Sequence, residues 1–202
     1  MKGLLLKDLV NLKQQTKIYI IVIAIWLAIA LTSQDGSFLG GMICVLSVML
    51  PITTLSYDEK AKWDKYALSM PVSRKQVVVS KYILALALSF TGCLISFAFN
   101  LFITKDANQS MLMSLMFWAF SIVAFSVILP LIYKLGVEKG RAMILVVFLA
   151  PTVLVILLSK LNIPLPSKEF LYNIKFVIPV FIIAALILSC YVSIKIFTNK
   201  DL

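Results

Sequence analysis

Asp58 to Lys81 (DEKAKWDKYALSMPVSRKQVVVSK) is a charged, tryptophan-bearing island in a chain that is otherwise apolar. Trp63, Tyr66, Ala67 and Met70 recur at i, i+3, i+4 and i+7, which lines them along one face of a short helix. Asp58, Glu59, Lys60, Lys62, Asp64 and Lys65 surround that face with charge. Pro71 stops the helix, because it has no N–H and biases Met70 away from helical backbone angles. Ser73 and Gln76 then have the spacing of a capping box, so a second helix is expected to begin near Arg74. The island thus reads as a helix, a tight bend and a new helix start.

Outward from the island the chain is built for lipid. Hydrophobic residues make up 61% of the 202 and charged residues 14%, against roughly 45–50% and about 25% in soluble domains. Six apolar runs approach the ~20 residues that cross a bilayer: Ile18–Ser33, Gly36–Tyr57, Tyr82–Ile103, Met111–Tyr133, Ala142–Ser159 and Phe176–Phe197. They are continuously apolar without period-two alternation, so helices are expected rather than a barrel. The fold class is an all-α integral membrane protein with a single domain over residues 1–202. Fifteen Lys and Arg residues fall on the side that holds the island, and four (Lys105, Lys160, Lys168, Lys175) on the other. That asymmetry places the island and both termini in the cytoplasm of a multi-pass plasma-membrane protein. The net charge of +10 therefore belongs beside anionic headgroups, and no nucleic-acid partner is expected.

Residues 1–17 carry Leu5, Leu9 and Leu12 at helical spacing, with Leu6 and Val10 beside them, while Lys7, Asn11 and Gln14 are expected to face away. This stretch reads as an amphipathic interfacial helix retained ahead of the first span. Outside, the connections are Gln34–Asp35, Thr104–Ser110 and the longer 160–175, where Pro164 and Pro166 interrupt any continuous helix. Cys44, Cys93 and Cys190 lie inside apolar runs and read as weakly polar core residues.

No span has an acidic or basic residue near its centre, where one costs about 2.5–3.5 kcal/mol on insertion scales and is kept for function. No G-x-x-x-x-G-K-[ST] loop exists, and Gly136–Arg141 (GVEKGR) has the wrong spacing. Neither a catalytic group nor a metal or cofactor site is legible, so ATP and Mg²⁺, if they drive the protein, are held by another polypeptide. Within the spans, Ser47, Pro51, Thr53, Thr54, Pro151 and Thr152 serve close helix packing or a weakly polar path, and Asn100 is expected to bond across helices.

These residues together resemble the type-2 ABC transporter permease family. The segment Tyr57–Tyr82 carries the likeness. It is similar to the D-E-x-x-x-W-D…L-x-M-P-V-S-R stretch of small bacterial permeases, among them the membrane subunits of exporters of phenol-soluble modulins and other antimicrobial peptides. The resemblance implies two permease subunits, identical or related, working with two cytoplasmic ATPase subunits. It implies that residues 58–73 form a coupling segment seated in an ATPase groove, contacted through Asp58, Glu59, Trp63, Asp64, Tyr66 and Met70. Pro71, Ser73 and Arg74 would fix the bend behind them. It further implies a path lined by spans two and five at the dimer interface, suited to an amphipathic peptide or a hydrophobic toxin or drug. Two other readings stay open: a carrier that needs no ATPase, and a non-transporting scaffold or immunity protein.

The orientation is testable. In a background lacking the three cysteines, Lys75→Cys is expected to resist a membrane-impermeant maleimide in intact cells and Lys105→Cys to react; the opposite pattern would invert the topology.

Overall fold

A computed structural model describes residues 2–33, 36–69, 72–161 and 177–199. Within them the regular structure is helical and no strand occurs. In chain order the helices are α1 (Lys2–Lys13), α2 (Thr16–Ser33), α3 (Ser37–Lys60), α4 (Trp63–Ser69), α5 (Arg74–Thr104), α6 (Ala107–Leu135), α7 (Val137–Lys160) and α8 (Val177–Thr198). Six of them, α2, α3, α5, α6, α7 and α8, are long and apolar enough to cross a membrane, and each contains or closely matches one of the six expected spans. The all-α, six-span architecture is thus as the sequence implies. Gln34, Asp35, Met70, Pro71 and the outer connection with Pro164 and Pro166 lie outside the described residues.

Local chemistry sets the boundaries. Lys62 takes a left-handed φ of 49°, which ends the helical path of α3 after Lys60 and lets α4 start in a new direction. The capping box at the start of α5 forms as its spacing implies: Gln76 N donates to Ser73 Oγ at 3.3 Å and Ser73 N to Gln76 Oε1 at 3.2 Å. Asp106 caps α6 by accepting from the backbone of Asn108 at 3.0 Å and Gln109 at 3.4 Å. Gly136, at φ 86° and ψ 167°, occupies a region essentially closed to residues with a Cβ and separates α6 from α7.

The bundle is organised around α3. Of the residues in its most apolar stretch 61% are buried, against 6% in α2 and 11% in α7. Val48 and Ile52 of α3 meet Val78 and Ala85 of α5, Phe125 and Ile128 of α6 and Phe197 of α8 in one core. Burial follows lipid logic. Large apolar side chains such as Phe102 and Tyr191 are exposed, whereas Ser96, Ser114, Ser121 and Asn100 are buried, because a hydrocarbon solvent drives small and weakly polar residues to helix contacts.

Two expectations change. Asn100 bonds within its own helix, Nδ2 donating to Ser96 O at 2.9 Å and Ser96 Oγ at 3.2 Å, and a Cβ on Gly36 would run into its Oδ1. In α1 the helix ends at Lys13, and Leu4, Asp8 and Leu12 form the buried line. Leu6, Leu9 and Val10 are exposed, and Lys7 turns inward rather than away, drawn by the carboxylates described below.

Gly92 leaves room for α3 against α5. A Cβ on Gly92 would lie 2.7 Å from Ser47 Oγ and 2.8 Å from Ile43 Cγ2, whereas one on Gly3 would meet nothing within 4 Å. Gly92→Leu is expected to cost about 1–3 kcal/mol or more of stability through overpacking, seen as a lower thermal midpoint in detergent, with Gly3→Leu close to wild type.

Candidate functional site

Those residues singled out in the island that the structure describes gather at one end of the bundle, together with three that were not. Asp58 stands in the last turn of α3, which runs on to Lys60 and so carries both Asp58 and Glu59 as part of span two rather than of the short helix. Lys81 of α5 reaches the same point. Its ammonium lies 2.7 Å from Asp8 Oδ1 of α1 and 2.6 Å from Asp58 Oδ2. Lys7 also pairs with Asp58 and sits 3.3 Å from Asp8 Oδ1. The side chains of Asp8 and Lys81 are 1% and 2% exposed. Two cations and two anions therefore balance in a largely buried cluster, with Lys7 at its rim, 22% exposed. Such a group is held by geometry rather than by solvation, and losing one member strands its partners. Thr54 Oγ1 adds a longer contact to Lys81 at 3.4 Å.

The same cluster fixes α4. The Lys7 ammonium lies 4.5 Å from the centre of the Trp63 ring, a cation–π contact. Trp63 is half-buried and packs on the core that includes fully buried Ala67. The face expected to meet a partner, Trp63 with Ala67, is thus turned into this chain's own interior. Asp58 is likewise consumed inside. Tyr66 points out, 62% exposed, with Lys62 and Lys65 exposed beside it. Asp64 is half-buried and lines a cavity of about 40 Å³ with Asp58, Lys81, Tyr133 and Val137, large enough for water.

Two further contacts tie distant helix ends to this region. Glu59 Oε2 accepts from Val137 N at 2.9 Å. Gly136, the residue before α7, offers no side chain to cap it, so the carboxylate of Glu59 takes that place at the positive end of the helix. Arg74 Nη1 donates to Thr198 O at 2.7 Å and Phe197 O at 3.3 Å, a cation at the carbonyl end of α8. Ser73 does what its spacing implies, starting α5. Met70 and Pro71 lie outside the described residues.

The chain matches the model of the ABC-2 family transporter proteins over residues 3–198. It belongs to the ABC-2 family of transporter membrane proteins. No curated protein and no solved structure gives a match. Family membership makes this ABC-2 protein a multi-pass transport subunit, and the family in general associates with ABC ATPase subunits.

The suggested path residues of this ABC-2 protein do not share a surface. Ser47, Pro51 and Thr54 are buried in α3, with Ser47 donating to Ile43 O at 2.8 Å and Thr54 to Pro51 O at 2.8 Å. Thr53 is half-buried and donates to Met49 O at 2.9 Å. Pro151 and Thr152 are exposed on α7.

Asp8, Lys7 and Lys81 were not legible as site residues. Asp8 lies in a stretch whose leucines dominate the pattern, and Lys81 reads as one more positive charge at a span boundary. The one available signal is that Asp8 is the sole acidic residue in the first 34.

Removing one charge is expected to be worse than removing all four. Lys81→Met or Asp8→Leu alone should cost about 3–5 kcal/mol by stranding a buried charge. Replacing Lys7, Asp8, Asp58 and Lys81 together by Met or Leu should recover most of that loss. Thermal unfolding of the purified variants in detergent checks the order; equal or additive losses would show that the four do not act as a unit.

Proposed function

We propose that this chain is the membrane subunit of an ABC exporter, a permease that works as a homodimer or with a related chain and takes its energy from two separate ATPase subunits. ATP and Mg²⁺ are bound by those partners. Its cargo is an amphipathic peptide or a hydrophobic toxin or drug. The observation that carries this reading is the convergence of α1, α3, α4, α5, α7 and α8 on one charged end of the bundle, through Lys81, Asp58, Trp63, Glu59 and Arg74. A push delivered to α4 there reaches most of the spans at once through short polar contacts. Family membership supports the ATPase as the source of that push.

Docking, in this proposal, uses the outward side of the coupling segment. Tyr66 is the anchor, since an exposed tyrosine flanked by Lys62 and Lys65 presents an amphipathic ring with low entropy cost on binding. Trp63, Asp58 and Glu59 transmit movement from within, and Ser73 with Arg74 stiffens the bend into α5. Asp64, half-buried, sits between the two roles. A peptide or apolar cargo is supported by a groove of about 460 Å³ between α2, α3, α6 and α7, lined by Trp26, Phe38, Met42, Phe117, Phe120 and Phe148. Such a lining suits apolar surface rather than a sugar or an ion. An ion-coupled carrier fits less well. The ionic cluster is charge-balanced and lies at an end of α3, whereas a coupling-ion site belongs near the bilayer midplane.

The test is reconstitution of the full chain with the ATPase subunit that co-purifies with it at equal stoichiometry. Tyr66→Arg is expected to lower cargo-stimulated ATP hydrolysis and export at least tenfold while leaving insertion and thermal stability unchanged. Undiminished export by Tyr66→Arg, or full transport by the chain alone, would overturn the assignment.

A further inference from the structure

The polar contacts at the charged end of the bundle join most of its helices but leave out α6. Helices α1, α3 and α5 share the Lys81 cluster, α7 is capped by Glu59 and α8 is held by Arg74. α6 reaches the same place with Ile132 and Tyr133. The Tyr133 ring stands edge-on against Phe197 of α8, with centroids 5.5 Å apart and planes at 63°, and the residue is 7% exposed. Its hydroxyl is buried and meets no hydrogen-bond partner among the described residues. Buried tyrosine O–H groups usually find one, because an unpaired hydroxyl in an apolar place carries its full desolvation cost. Phenylalanine would give the same ring contact, so the oxygen calls for a partner of another kind.

Tyr133 lines the cavity of about 40 Å³ whose other polar walls are Asp58, Glu59, Asp64 and Lys81. The size and chemistry of that space select its occupant. It is too small for an organic molecule, and an apolar one would strand the charges around it. No group of three or more His, Cys, Asp or Glu among the described residues is disposed to hold a metal ion. Water fits: one molecule needs about 10–15 Å³ and two to four polar partners, so there is room for roughly two or three. Asp58 gives one oxygen to Lys7 and the other to Lys81, and Glu59 Oε2 is occupied by Val137 N. Asp64, half-buried on α4, brings a further carboxylate, and a carboxylate accepts up to about four hydrogen bonds.

We infer that this cavity is a water-binding site in which the Tyr133 hydroxyl donates to a bound water and that water donates on to the carboxylate of Asp64. The bridge gives α6 its polar tie to α4. A water-mediated bond is nearly as favourable as a direct one, and this one satisfies a hydroxyl that the protein alone leaves unpaired. Tyr133 is thus a positioning residue, acting on α4 through Asp64. Its meaning for transport rests on the reading of α4 as the segment that an ATPase moves. The water site itself depends on neither the ATPase nor the cargo, so it is tested without them.

The experiment exposes the full chain in detergent to millisecond X-ray radiolysis, which turns water into hydroxyl radicals that oxidise adjacent side chains, and reads modified tyrosines by mass spectrometry. Tyr82 is the internal control, 3% exposed with its hydroxyl 2.6 Å from Ser189 and 2.8 Å from Ser193. Tyr133 is expected to be oxidised on the order of tenfold faster than Tyr82, as bound water beside a buried ring requires. Equal rates would overturn the site. Tyr133→Phe then removes one oxygen and keeps the ring. Deleting an unpaired hydroxyl would leave the thermal midpoint unchanged or raise it, whereas deleting a water-bridged one is expected to lower it by about 2–4 °C. Combined with Asp64→Ala, the loss should be smaller than the sum of the two single losses, because both variants break the same bridge. A midpoint that holds or rises in Tyr133→Phe, or strict additivity with Asp64→Ala, refutes the tie. Failure of the transport reading would change none of these results.

Discussion

The ammonium of Lys81, buried between the carboxylates of Asp8 and Asp58, is the interaction on which the arrangement of this end of the molecule depends. A buried cation needs anions in fixed positions, and here they come from two different helices. That requirement draws α1 onto the bundle, fixes where α3 ends relative to α5, and brings Lys7 over Trp63. Such a cluster is a poor source of raw stability, because desolvation opposes the attraction, but it specifies one geometry in a way apolar contacts do not. In a membrane, where the hydrophobic effect does not sort one helix contact from another, that specification has added value.

Helix termini supply the other half of the design. Glu59 caps α7 and Arg74 caps α8, both from side chains far away in the chain. Each uses a charge complementary to the helix end it meets. Because Glu59 is followed within a few residues by α4, and Arg74 opens α5, α4 is bracketed by the two residues that hold the other helices. The end of the bundle is consequently a single connected body, whereas α2 and the far part of α7 pack loosely on it and expose apolar surface.

The spans and the capping box at Ser73 and Gln76 were legible because they rest on contacts within a few residues: run length, helical period and side-chain reach to a nearby backbone. The orientation of α4 was not. Helical spacing groups Trp63 with Tyr66 and Ala67, yet the core takes Trp63 and Ala67 and leaves Tyr66 outside. Periodicity identifies which residues share a side and is silent on what that side meets. Asn100 shows the same limit, since its polar side chain suggested a bond to another helix, but its amide reaches Ser96 one turn back in its own.

The order of apolar and charged residues by itself determined a six-span helical membrane protein with a charged segment after the second span, because crossing hydrocarbon demands long apolar helices and charge accumulates where they end. Only the tertiary structure decided which charges are consumed internally and which remain to meet lipid or a partner. Asp8 and Lys81 are 73 positions apart, and Glu59 and Val137 78; pairings over such distances are set by how the helices stack, which no local pattern encodes.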